Sequence, residues 1–149
     1  MKRIGNRQKL TLFAGVNVLE DESVNFEVAE VLSKVCAEHN LDWVFKASFD
    51  KANRSSLASY RGPGLQQGLQ QLEMLKRQFD LTLITDVHEI GQVGPVAEVA
   101  DMIQIPAFLC RQTDLLAAAV QSQKPILIKK MQMMSPADAL KVVSKCNQL

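Results

Sequence analysis

Residues 81–129 read LTLITDVHEIGQVGPVAEVADMIQIPAFLCRQTDLLAAAVQSQKPILIK, and three short apolar runs stand out in them: Leu81–Val87, Met102–Pro106 and Pro125–Lys129. Each run has the length of a strand, while the intervening Val93–Ala100 and Thr113–Gln121 carry apolar residues at helical spacing. Strand alternating with helix in this way is the pattern of βαβ units on a parallel sheet. Toward the N-terminus, Leu10–Ala14 and Trp43–Phe49 add two further strands. Ser23–His39 carries Phe26, Val28, Val31, Leu32, Val35 and Cys36 at helical spacing, with Ser23 as the N-cap. Leu65–Phe79 repeats the pattern, and toward the C-terminus Ser135–Cys146 opens on Ser135-Pro136, an N-cap followed by a first-turn proline. Five strands and five helices are expected, in one domain spanning residues 1–149.

An eight-unit (β/α) barrel takes about 250 residues, or roughly 30 per unit, so 149 residues hold about five units. A five-stranded doubly wound sheet also suits that length. Its usual phosphate-cradling turn is missing, however, because Gly15-Val16-Asn17 leads into Glu20-Asp21-Glu22 rather than into a glycine-rich fingerprint. Periodicity alone leaves an incomplete barrel and an open sheet equally available.

Composition removes several classes of function. The chain is 47% hydrophobic and 22% charged, the make-up of a globular protein. Its net charge of +1 provides no long-range field to recruit nucleic acid or an anionic membrane. The longest uncharged apolar run, Met102–Cys110, is far shorter than the roughly 18 residues of a membrane span. Cys36, Cys110 and Cys146 are odd in number and make no CxxC pair, which argues for a reducing compartment and against structural zinc. Lys2, Arg3, Arg7 and Lys9 before Leu10–Leu19 resemble the start of a signal peptide, but Asn17 interrupts the apolar stretch and no Ala-x-Ala follows. A strand in the cytoplasm is the expectation.

Polar residues close every apolar run: Asn17, then Lys46 and Ser48, Asp86 and His88, Gln104, and finally Lys129 and Lys130. A substrate site at the carboxyl ends of parallel strands produces this pattern, although strand ends also turn polar simply where a chain re-enters water. Lys46 resists the plainer reading. It lies inside Trp43-Val44-Phe45-Lys46-Ala47-Ser48-Phe49, where burying an ammonium is costly unless it faces a polar pocket or an anion. The segment that follows carries Lys51, Arg54 and Arg61 against the single Asp50, with hydroxyls and glycines, a composition suited to phosphate. His39 reads as a helix cap, and neither it nor His88 has a second ligand at metal-binding spacing.

The run Phe45-Lys46-Ala47-Ser48-Phe49-Asp50-Lys51-Ala52-Asn53-Arg54-Ser55-Ser56 closely resembles the 3-deoxy-D-manno-octulosonate 8-phosphate synthases. So do Ser59-Tyr60-Arg61-Gly62-Pro63-Gly64, Ile84-Thr85-Asp86-Val87-His88-Glu89, Gln104-Ile105-Pro106-Ala107-Phe108-Leu109 and Arg111-Gln112-Thr113-Asp114-Leu115. The resemblance implies a partial TIM-type (β/α) barrel with five of eight units. It also implies condensation of phosphoenolpyruvate with arabinose 5-phosphate for lipopolysaccharide. On matching positions, Lys46, Lys51, Gln104 and Lys130 are implied to face phosphoenolpyruvate, and Asn53, Arg54 and Ser55 the sugar phosphate. Arg111 is implied to reach a neighbouring subunit's sugar phosphate, and Asp86 and His88 to line the site. Asn17 stands where metal-dependent members resemble one another in a cysteine ligand, so no metal and no other cofactor is implied.

The chain departs from the family pattern at Ala14, at Ile90-Gly91 and at Lys129-Lys130-Met131-Gln132, where Lys-Lys-Pro-Gln is usual. The last three strands of the family, with an arginine and further His, Glu and Asp groups, are expected to be absent. First and fifth strands would then be open edges, which calls for a homo-oligomer or a complementary chain.

Overall fold

The computed structural model describes Ile4, Gly5 and Arg7–Leu149; Lys2 and Arg3 of the N-terminal basic run lie outside the described residues. Five strands alternate with five α-helices: β1 Thr11–Ala14, α1 Glu22–Glu38, β2 Asp42–Lys46, α2 Leu65–Phe79, β3 Leu83–Asp86, α3 Ile90–Val99, β4 Met102–Ile105, α4 Thr113–Gln121, β5 Ile126–Ile128 and α5 Pro136–Cys146. A short 3-10 turn, Ala107–Leu109, precedes α4 and has no counterpart in the periodicity. Strand order in the sheet is β1-β2-β3-β4-β5, the order of the sequence. A doubly wound sheet reverses direction at a switch point; this one does not, and the fold is the partial TIM-type (β/α) barrel, with five of eight units. No helix among the described residues is long and apolar enough to cross a membrane.

The strands are shorter than the apolar runs that announced them. Trp43–Phe49 is strand only as far as Lys46, and Pro125–Lys129 only over Ile126–Ile128. The apolar residues beyond Lys46 are buried all the same, Ala47 and Phe49 at 0% and 1% exposure, because they pack as loop. Two helix starts move as well. α1 begins at Glu22 with Asp21 as its N-cap, two residues before the expected cap Ser23. α3 begins at Ile90 and runs through Pro95, three residues before the expected Val93. Proline in a helix loses one hydrogen bond and crowds the preceding residue; here that residue is Gly94, which has no side chain to crowd.

The chain divides into two compact units, one ending at Leu83 and one spanning Ile84–Leu149. In the first, β1 and β2 pair in parallel with Leu12 opposite Trp43 and Ala14 opposite Phe45. The Trp43 indole packs edge-on to Phe45 and its Nε1 donates to the Ala14 carbonyl at 3.0 Å. α1 and α2 pack together, with Phe26 against Phe79 at 5.9 Å between ring centres. Gly68 is required on α2: a Cβ there would lie 2.4 Å from that of Phe49.

In the second unit, Ile84, Thr85 and Asp86 pair with Met102, Ile103 and Gln104, and Ile103, Gln104 and Ile105 with Ile126, Leu127 and Ile128. Side chains alternate along each strand, and those paired in register share a face. Ile84 and Asp86, Met102 and Gln104, and Leu127 therefore form one face; Thr85, Ile103, Ile105, Ile126 and Ile128 form the face beneath the helices. α5 is capped as expected by Ser135, whose Oγ accepts from the Asp138 N–H at 3.1 Å and donates to the Asp138 carboxylate at 2.8 Å.

Hydrogen bonds from Lys141 and then Ser135 hold the Asp138 carboxyl below its ordinary value, with the charges of Lys141 and Arg111 assisting. A carboxyl whose folded value is depressed contributes stability above its unfolded value, about pH 4, and loses it as pH falls through the folded one. Helicity of α5 should therefore hold above that range and decline below it. In Asp138→Asn the decline should flatten, as read by circular dichroism or by α5 amide shifts in an acid titration.

Candidate functional site

Every candidate residue lies at the carboxyl end of a strand or in the segment that follows it. In the first unit the segment is the long connection between β2 and α2, residues 47–64, which has no regular structure and is pinned at several points. Gly64 N–H donates to Phe49 O at 3.0 Å, and Lys51 N–H to Arg61 O at 2.7 Å, so the ends of the excursion are held together. Gly62 adopts φ 114°, a conformation open to glycine, and a Cβ on it would lie 2.4 Å from the Phe49 carbonyl. The Arg61 guanidinium grips Asp50 through two nitrogens, at 2.8 and 2.5 Å, and this pairing raises the Arg61 pKa further.

The β1–α1 connection is tied to the same loop. Leu19 N–H donates to Ser48 O at 2.9 Å, and the Tyr60 hydroxyl donates to Leu19 O at 2.9 Å. Fully buried Asn25 secures the other end, accepting from Glu20 N–H and donating to Glu20 O. Between the two connections lies a 440 Å³ cavity lined by Val18, Glu20, Asp21, Arg54 and Tyr60. Arg54 donates from Nε to Tyr60 O at 3.0 Å, which fixes its plane.

The cations here are placed differently from one another. Lys46 is half-buried at the end of β2 and its ammonium has no hydrogen-bond or ion-pair partner among the described residues. Gly15 beside it admits the close approach, since a Cβ there would fall 2.2 Å from Lys46 O. Lys51 donates to Ser48 Oγ at 2.9 Å. Asn53, Arg54 and Ser55 are exposed in the loop, as is Asn17 after β1.

In the second unit, Asp86 ends β3 and His88 follows it, with His88 Nε2 3.2 Å from Asp86 Oδ2 and both side chains largely buried. Gln92, in the first turn of α3, accepts from the His88 backbone N–H at 2.8 Å and so fixes the turn that presents the imidazole. Gln104 sits beside Asp86 on the same face, 6% exposed, and its side chain makes no hydrogen bond to other described residues. Arg111 is exposed near the N-terminus of α4. No group of three or more His, Cys, Asp or Glu among the described residues is arranged to hold a metal ion.

Of the adjacent Lys129 and Lys130, sequence comparison singled out the second, and its position invites a different reading. Lys130 Nζ donates to the carbonyls of Met131 and Met134 at 2.8 Å each and of Gln132 at 3.5 Å, so its three protons serve its own turn. Lys129 continues the ladder by donating its N–H to Ile105 O at 3.1 Å, and lies two residues beyond Leu127, the partner of Gln104. Strand alternation therefore puts Lys129 on the face that carries Gln104 and Asp86. Nothing in the sequence says which of two neighbouring lysines shares a face with Gln104; the register does. Gln92, Asn25 and Tyr60 were also missed as positioning groups, because such roles depend on contacts remote in sequence.

In the first unit alone, lysines, an arginine and amide and hydroxyl groups at the end of β2 and in the connection after it suit a phosphorylated small molecule. Across residues 1–149 the chain matches the DAHP synthetase I family model, and it belongs to that family. It is 53% identical over 142 residues to the 2-dehydro-3-deoxyphosphooctonate aldolase of Desulfotalea psychrophila, covering 95% of this chain and 51% of that protein. The proteins of the same name from Hahella chejuensis and Acinetobacter baylyi are 52% and 51% identical, each over 97% of this chain, and 52% and 50% of their own length. The chain thus spans about half the length of the curated relatives it matches.

Removing the hydroxyl that joins the two connections should loosen both. Tyr60→Phe is expected to lower stability by about 0.5–1.5 kcal/mol and to speed proteolytic cleavage within residues 50–61, measured by urea denaturation and limited trypsin digestion against the parent chain.

Proposed function

We propose that this chain serves the condensation of phosphoenolpyruvate with arabinose 5-phosphate, giving 3-deoxy-D-manno-octulosonate 8-phosphate and inorganic phosphate, in the cytoplasm and for lipopolysaccharide synthesis. The observation that carries the proposal is 53% identity, over 95% of the chain, to a relative named 2-dehydro-3-deoxyphosphooctonate aldolase. In the reaction, C3 of the enol attacks the aldehyde carbon, water adds at C2, and cleavage of the bond from C2 to the ester oxygen releases phosphate. Lys46, Lys51, Gln104 and Lys130 act toward phosphoenolpyruvate; Asn53, Arg54 and Ser55 hold the sugar phosphate; Asp86 and His88 line the site, and Arg111 reaches a neighbouring subunit. The free ammonium of Lys46 supports the first of these roles, and the fixed plane of Arg54 the second. The carbonyl ligands of Lys130 favour Lys129 in its place. The scheme needs no metal and no cofactor, with Asn17 at the position of the metal-ligating cysteine.

A second reading is binding of a phosphorylated sugar, or of a partner chain, without turnover. It is supported by the origin of Lys46, Lys51, Asn53 and Arg54 in β2 and the connection that follows it, which brings the sugar-phosphate groups together within one segment. Phosphate release that requires both substrates separates the two: release supports the condensation, and its absence with arabinose 5-phosphate still bound supports the second reading. Under either, Arg54→Ala should weaken arabinose 5-phosphate binding in calorimetry roughly ten- to a hundredfold, the loss of one charge-assisted hydrogen bond of about 1.5–3 kcal/mol. Equal binding by variant and parent would remove Arg54 from the site.

A further inference from the structure

The ladder of β3 runs one residue past the strand, because Val87 N–H donates to Gln104 O at 3.2 Å. The next N–H, that of His88, goes instead to a side chain of the following helix, Gln92 Oε1 at 2.8 Å. His88 is therefore the residue at which sheet bonding passes over to α3. Its backbone takes its direction from both: the residue before it is held by β4, and its own N–H by Gln92.

The first turn of α3 is weak by composition. Glu89, the N-cap, makes no side-chain capping bond, and no acidic residue lies in the turn. Gly91 is a poor helix former, and Pro95 has no N–H to offer the Gly91 carbonyl four residues earlier. Gln92 stands third in the helix, the position from which a Glu or Gln side chain reaches back to a backbone N–H in a capping box. In that motif the N–H reached belongs to the N-cap; here it belongs to His88, one residue earlier. The bond is thus made outside the helix, to the residue that carries the imidazole.

We infer, resting on the reading above for His88 as a site residue, that Gln92 is a positioning residue that acts through His88: by holding the His88 N–H it keeps the imidazole on the Asp86 carboxylate. His88 Nε2 lies 3.2 Å from Asp86 Oδ2, and the two side chains are only 12% and 7% exposed. A carboxylate only accepts, so Nε2 carries the proton of this bond, and in the neutral ring Nδ1 is the acceptor nitrogen. The pair spans residues 86 and 88, so its geometry is set by the backbone between them and by the angles at His88, which the Gln92 bond restricts. Released from Gln92, the His88 backbone can turn the ring off the carboxylate. In a place with so little water, that leaves the Nε2–H poorly served and the order of donor and acceptor nitrogens unfixed.

The test is read on the ring itself, in the full chain without substrate, so a failure to release phosphate leaves its result standing. The chain has two histidines, and exposed His39 serves as the internal reference. In nitrogen-resolved NMR the His88 Nε2–H should appear as a slowly exchanging ring proton. Gln92→Leu, which keeps the bulk and loses the acceptor, should speed that exchange roughly tenfold or more and leave His39 unchanged. Gln92→Glu, which keeps an acceptor at the same place, should restore slow exchange. Gln92→Ala, at a half-buried helix position, is read in the same way should leucine disturb the fold. Were Gln92 a helix cap and nothing more, its loss would destabilise α3 while the ring proton exchanged as in the parent. That result overturns the assignment, as does a glutamate variant that exchanges as fast as the leucine one, or a parent chain with no slowly exchanging ring proton.

Discussion

Parallel pairing in register is the constraint on which the second unit's organisation depends. Buried peptide groups must be hydrogen-bonded, and in this unit β4 satisfies its own on both sides through β3 and β5. Once that ladder is set, the two-residue alternation of side chains leaves no freedom: Asp86, Gln104 and Leu127 must share one face, and Ile103, Ile105, Ile126 and Ile128 the other. A slip of one residue would bring Thr85 and Ile103 to the face that now carries the polar groups and would bury Asp86 beneath helices.

A polar group at a strand end is useful only if its direction is held. In the first unit this is done by anchoring a long irregular connection rather than by lengthening the strand. Phe49 is buried against Gly68, Gly62 approaches its carbonyl, and Gly64 bonds to it, so the loop departs from and returns to one fixed point. Asp50 with Arg61, and Tyr60 with Leu19, then limit what the intervening residues can do. Loops carry function when a rigid frame positions them, and here the frame consists mainly of backbone contacts. The charges on that loop are not interchangeable: Arg61 serves the loop itself through Asp50, Arg54 is oriented by one nitrogen, and Lys46 is left available.

Membership of the family extends along the whole of residues 1–149. A closed (β/α) barrel, by contrast, requires that every strand be paired on both sides, and β1 and β5 are paired on one side only among the described residues.

Much was legible in the sequence. Alternating apolar runs and amphipathic stretches located all five strands and all five helices, with α2 and α4 correct at both ends, because burial imposes periods of two and 3.6 on any such chain. The placement of Lys46, Asp86, His88 and Gln104 at or just beyond strand ends was legible because each closes an apolar run, and Lys46 stood out because an ammonium inside such a run is expensive to bury. Strand ends were overestimated at Phe49 and Lys129, since loop residues that pack inward are as apolar as strand residues. Local pattern could not choose between barrel and open sheet, did not say which of Lys129 and Lys130 shares a face with Gln104, and gave no sign of the contacts of Tyr60, Asn25 or Gln92. Those depend on which backbone groups from distant segments meet, and periodicity carries no information about that; strand order, register and the carbonyls around Lys130 exist only once the chain is folded.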